Sequence, residues 1–271
     1  MNKPAYKLCD WIDESKFDST QLFLNPNAIE LLKAKLYNIN WIYISINPNG
    51  IELLKANPDK INWGLLSRNP NAIELIKANQ DKIDWYILSE NPNAIELLKA
   101  NPDKINWHYL SKNPNAIELL KENKDKIDWY WLSLNKGAIE LLKANPDKIN
   151  WYNLSMNSNA IDLLKANPNK ICWDNLSKNP NAIELLKANK NKINWNCLSQ
   201  NPNAIELLEE NQNKINWHYL AKNPSIFTLD YKQMSINFEP LAEEIIKEVM
   251  KPKRIFRNLE LYGYDVDDMF D

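Results

Sequence analysis

Tryptophan recurs at positions 41, 63, 85, 107, 129, 151, 173, 195 and 217, every 22 residues with no insertion or deletion. So strict a period restricts the chain to stacked copies of one supersecondary unit, each burying the face its neighbour leaves open. The unit reads most clearly as Ile105-Asn106-Trp107-x-x-Leu110-Ser111-x-Asn113-Pro114-Asn115-Ala116-Ile117-Glu118-Leu119-Leu120-Lys121. A degenerate copy begins at Phe17-Asp18-Ser19, with Ser in place of Trp, and the pattern has ended by Glu239. Ten units therefore run from about residue 17 to residue 236, the last without its second half.

Asn-Pro-Asn-Ala-Ile-Glu-Leu-Leu-Lys-Ala predicts a helix of about nine residues, with Asn at the N-cap and Pro at N1. Its early Glu and late Lys complement the helix dipole. Asn57, Asn79, Asn101 and Asn145 mark its end. With only 4 Gly against 42 Asn in the chain, Asn is expected to supply the left-handed residue there. Asn62, Asp84, Asn106 and Asp128, each directly before Trp, predict the cap of a second helix of about six residues. A leucine-rich repeat would need an apolar residue two positions after each Leu. Arg68, Glu90, Lys112, Lys178, Gln200 and Lys222 stand there instead. A continuous helix is excluded by the internal prolines, each of which costs about 3 kcal/mol.

The expected fold is an all-α solenoid of about ten 22-residue helix-turn-helix repeats with short terminal caps. Residues 1–16 form the N-terminal cap, covering the first unit with Tyr6, Leu8, Trp11 and Ile12. Residues 17–236 are the array, and 237–271 a helical C-terminal cap ending in an acidic tail. Within that cap one helix is expected from Pro240 to Met250 and another from Lys253 to Tyr262. Each Trp packs between units, where burying on the order of 200 Å² contributes roughly 5 kcal/mol before entropy.

Catalytic chemistry has little to build on. His108 and His218 lie five units apart and cannot share a metal or a nucleophile. The four glycines stand alone, so no phosphate loop forms, and Asp265, Asp267 and Asp268 lack the rest of a calcium loop. Cys9, Cys172 and Cys197 have no metal-ligand spacing, and their odd number suits a reducing compartment. The reading is of a non-enzymatic, cytoplasmic chain with no catalytic residues, cofactor or metal. No apolar run reaches the length of a membrane span. With 33 basic against 35 acidic residues, net charge −2, no basic track favours nucleic acid.

Binding is the better expectation. The two residues after each Trp vary most, and variable positions on a constant scaffold are free to meet a partner. The first of each pair points away from the Trp/Leu face, which sets Tyr86, His108, Tyr130 and Tyr152 in one row, with Tyr109 and Trp131 partly beneath. Further on, Asp174, Asn175 and Asn196 make the row polar. An aromatic row rimmed by charge is a protein-interface pattern. The alternatives are a structural role in a virion or virus factory, with the array as a spacer of roughly 80–90 Å at about 10 Å per layer, and base stacking of single-stranded nucleic acid on the row.

The phrase Asn-Pro-Asn-Ala-Ile-Glu-Leu-Leu-Lys-Ala-Asn-Pro-Asp-Lys-Ile-Asn-Trp-x-x-Leu-Ser resembles the short Asn-Pro/Trp repeats of giant and other large nucleocytoplasmic DNA virus proteins. The segment Pro252-x-Arg254-Ile255-x-Arg257-x-Leu259-Glu260-Leu261-x-Gly263-Tyr264-Asp265 is similar to the way those proteins end. The resemblance covers nearly the whole chain and implies a viral origin; joined to the binding reading above, the expectation is an adaptor for a host or viral protein, in the host-cell cytoplasm or a virion. It carries no activity or site residue. Departures from it are Ser19 for Trp, Cys172 at a cap, Lys136-Gly137 for Pro-Asn, and Ala221 for Ser.

Overall fold

The computed structural model describes residues 5–17, 19–34 and 39–251. The chain has an all-α repeat fold. One unit is one turn of a coil. Trp107–Leu110 is a short helix, Asn113 to Ala116 a tight turn, Ile117–Glu122 a second helix and Lys124–Lys126 a 3-10 turn. The Asp84, Asn106, Asp128 and Asn150 side chains cap the Trp helices by accepting the N–H three residues on. Cys172 makes no side-chain cap.

The helices are shorter than the sequence predicts. Most Trp helices have four residues (Trp63–Leu66), and the second helices have five or six (Ile73–Ala78). The Pro-Asn-Ala residues form a separate 3-10 turn in units such as Pro70–Ala72, because the Asn69 carbonyl bonds Ala72 N–H three residues on. The Asn that stops the second helix is not left-handed either: Asn57 has φ −137° and Asn79 φ −139°. Its side chain does the capping, Asn57 Nδ2 donating to Leu53 O at 2.9 Å and Asn101 Nδ2 to Leu97 O at 2.9 Å. An amide that reaches back to the last-turn carbonyl removes the need for a positive φ.

Three ladders join successive units. The Asn of each Asn-Pro turn is buried: Asn113 Nδ2 donates to Ser89 O (3.1 Å) and Asn91 O (2.8 Å) of the preceding unit, and its Oδ1 accepts Asn115 N–H (3.0 Å). Each Ser is a two-way bridge, Ser111 Oγ donating to Trp107 O (2.8 Å) and accepting the Asp128 N–H of the next unit (3.0 Å). The Trp side chains are half-buried against the leucine core, and in seven of the nine a lysine of the next unit round the coil lies over the ring. Lys104 lies over Trp85 at 4.4 Å, Lys126 over Trp107 at 4.5 Å and Lys214 over Trp195 at 4.4 Å. Solvent-exposed cation–π pairs of this kind stabilise by about 0.5–1 kcal/mol.

The ladders do not end. Asn25 Nδ2 donates to Ala221 O (3.0 Å) and Asn223 O (2.8 Å), and Asn27 Nδ2 to Pro224 O (3.0 Å). These are the bonds that Asn47 and Asn49 make to the unit before them, in the same register after one circuit of ten units. Lys16 lies over Trp217 at 4.8 Å, completing the cation–π series. The segment Leu8–Phe227 is therefore the expected α-solenoid of ten repeats, closed into a ring, and it has no free ends to cap. An 80–90 Å spacer is excluded by that closure.

Residues before the array supply what the last unit lacks. Glu14–Lys16 is a 3-10 turn in the register of Pro58–Lys60, and Leu8, Trp11, Ile12 and Phe17 pack against the core. Cys9 N–H donates to Ile226 O at 2.9 Å, and Phe17 meets the Trp217 ring at 6.1 Å between centroids. Strands β1 (Tyr6–Leu8) and β2 (Phe227–Leu229) pair in a two-stranded sheet. The N-terminal segment is thus a clasp joining last unit to first, not a cover over the first.

Met1–Lys7 and Thr228–Asp271 group as a second unit. Its helix runs Tyr231–Val249, with Pro240 inside it rather than at its start, because Asp230 Oδ1 accepts Gln233 N–H at 2.9 Å and caps it earlier. The helix expected at 253–262 and the acidic tail lie outside the described residues.

Candidate interaction surface

In a closed ring, the elements whose successive copies lie nearest one another are nearest the axis. Here those are the Pro-Asn-Ala turns and the Trp helices, such as Trp41–Ile46 beside Trp63–Leu66. Successive Ile-Glu-Leu-Leu helices stand farther apart on the outside, where Glu96, Lys99 and Glu118 line a groove with Ile95 and Leu119. Their exposed faces carry Glu–Lys pairs three residues apart, such as Glu96–Lys99 at 3.1 Å.

The residue after each Trp stands at the start of its short helix, opposite the buried Leu. Tyr86, Tyr130 and Tyr152 are 65%, 45% and 56% exposed, and His108 is exposed beside them. Closure bends the expected row into an arc. Tyr109 and Trp131 are half-buried, as the sequence suggests. His108 meets Tyr109 edge-on at 5.6 Å and Trp131 at 5.3 Å, while Tyr130 meets Trp131 at 5.0 Å. Asp128 organises this cluster: Oδ1 accepts Trp131 N–H at 3.2 Å and Oδ2 holds His108 Nδ1 at 2.5 Å. Lys112 Nζ lies 3.6 Å from the Trp131 ring centroid and 5.3 Å from that of Tyr109. The structure thus brings His108, Tyr109, Tyr130 and Trp131 into contact, while Tyr86 and Tyr152 extend the arc on either side.

The polar half of the row is tied down. Asp174 Oδ1 accepts Asn194 Nδ2 at 2.8 Å, and Asn196 Oδ1 accepts Asn216 Nδ2 at 3.0 Å. Asn175, expected in the surface row, is buried and donates to Tyr152 O at 2.8 Å, as Asn153 does to Tyr130 O at 2.7 Å. Asn153 and Asn175 thus finish the wall between units, while Asp174 and Asn196 stay exposed beside their amide partners. Cys197 is half-buried, and burial raises its thiol pKa above the usual range.

Among the described residues, no group of three or more His, Cys, Asp or Glu could hold a metal ion. Nor, among them, is any helix long and apolar enough to cross a membrane. No family model, curated protein or solved structure matches the chain.

Proposed function

We propose that the ring is a non-catalytic scaffold that binds a protein through the arc from Tyr86 to Tyr152. The observation that carries this reading is the exposure of three tyrosines on neighbouring units, around an edge-stacked His108–Trp131–Tyr130 base fixed by Asp128. The repeated Asn, Ser, Trp and Lys are consumed in joining units, whereas these rings satisfy no ladder. Rigid aromatics with polar tips are what interface centres use, at little entropy cost. The resemblance to large DNA virus repeats makes the partner, in this reading, a host or viral protein of the infected cytoplasm.

The test compares the parent with a Tyr86→Ser, Tyr130→Ser, Tyr152→Ser variant in affinity capture from lysate, followed by titration of the purified captured protein. A partner whose Kd rises at least about tenfold in the variant, with the thermal midpoint unchanged, supports the reading; about 1.4 kcal/mol of contact energy suffices for that. Equal Kd values for parent and variant would retire the arc as the contact face.

A further inference from the structure

Each residue between the bridging Ser and the ladder Asn sits where the units approach most closely. Its flanking side chains are buried in the wall, so its own points out of the wall, and at the inner edge that direction is toward the axis. All ten residues at this position are half-buried, although six of them are polar or charged. These side chains therefore stand side by side around the inner edge, where Lys112 and Lys222 lie over Tyr109 and Tyr219.

The charges there do not balance. Going round the ring, Arg68 and Lys112 share Glu90, whose Oε2 lies 3.2 Å from Arg68 Nη2 and 3.7 Å from Lys112 Nζ. Lys178, Gln200 and Lys222 follow on three successive units, and the other four positions hold Leu, Ile, Leu and Met. Lys222 lies over the Tyr219 ring at 4.9 Å, and neither it nor Lys178 has an ion-pair partner among the described residues. Asp174, on the helix of Lys178, is turned to Asn194 instead, and Cys172 and Cys197 are the other titratable groups nearby. Burial, and then the charge of Lys178 two units away, lower the Lys222 pKa below the ordinary lysine value.

We propose that Lys178, Gln200 and Lys222 form an axial anion site for a phosphate group, free or carried on a small monoester. Two ammonium groups on alternate units, with an amide donor on the unit between them, match the charge and donor demand of a dianionic oxyanion. The site is independent of the aromatic arc and stands or falls separately from it.

The test is calorimetric titration at low ionic strength with inorganic phosphate and with a nucleoside monophosphate, for the parent and for a Lys178→Gln, Lys222→Gln variant. Saturable binding weakened at least about tenfold in the variant is expected, with affinity falling as pH rises through the lowered Lys222 pKa. Because the substitutions remove a repulsion, the variant should melt no lower than the parent without ligand. A rise of the parent's thermal midpoint with phosphate, absent with chloride at equal ionic strength and absent in the variant, is the second readout. Tighter binding of the monophosphate would identify an ester as the ligand, and equal binding the free ion. No saturable binding, or equal binding by parent and variant, overturns the proposal.

Discussion

Asn113 uses both amide hydrogens and its carbonyl oxygen inside the wall between units, so its removal orphans the Ser89 carbonyl and the Asn115 N–H and takes one of two donors from Asn91 O, which keeps the Ala94 N–H. Asn113→Ala is expected to cost about 3 kcal/mol in urea unfolding, since each buried unsatisfied group costs about 1–3 kcal/mol. Asn113→Asp should cost more, because a carboxylate would face two backbone carbonyls; a smaller loss for Asp than for Ala would refute the ladder. The opposite change is available at Cys172, the departure from the capping residue that the sequence already shows. Cys172→Asn should gain about 0.5–1 kcal/mol by accepting an orphan N–H of the Trp173 helix. Lys222 adds a pH dependence. Its folded pKa lies below the unfolded value of 10.5, so its charge burdens the folded state below the folded pKa, and the burden fades as pH approaches 10.5. Lys222→Met should therefore be the more stable protein at neutral pH, with the gap to the parent narrowing toward pH 10. At this scale the Asn, Asp and Pro caps were legible from residue type alone. The amide C-cap of Asn57 was not, because a left-handed backbone and a side chain reaching back four residues leave the same Asn in the sequence.

Between elements the stabilising contact is the Trp side chain, wedged against the leucine core of its own unit and in seven of the nine, though not at Trp129, covered by the next unit's lysine. Trp129→Ala is expected to cost about 3 kcal/mol in thermal or urea unfolding, toward the low end for large-to-small changes because the ring is half-buried. A midpoint equal to the parent's would show that the tryptophans do not hold the stack. Periodicity revealed the helices and the Trp packing. It did not reveal the lysine, which reads as a solvated charge until the coil brings it over the preceding Trp. The aromatic row was visible as variation on a constant frame, but the burial of Asn175 was not. Side-chain direction on a four-residue helix depends on the neighbouring coil more than on helical period.

Closure belongs to the whole molecule, and it is the property least accessible from one unit. Ten identical joints make a ring only if each turns the chain by about 36°, a small rotation that residue types do not encode. A clue was nonetheless present. Glu14-Ser15-Lys16-Phe17 stands where the missing half of the last unit would end, with Lys and an apolar residue in the places of Lys214 and Ile215. In an open array the terminal units have one neighbour and fray, so their amides exchange faster than central ones. In the ring, Ala28 N–H, bonded to Asn25 O at 3.2 Å, has the same surroundings as Ala116 N–H, bonded to Asn113 O at 3.1 Å. Native-state hydrogen exchange should therefore protect Ala28 to within about tenfold of Ala116. Deleting residues 1–12 removes the clasp, and Ala28 and Ala221 should then exchange far faster while Ala116 stays protected. If Ala28 already exchanges more than about a hundredfold faster than Ala116 in the intact chain, the ends are apart in solution. The axial site would be lost with the ring, whereas the Tyr86–Tyr152 arc, built within consecutive units, would survive.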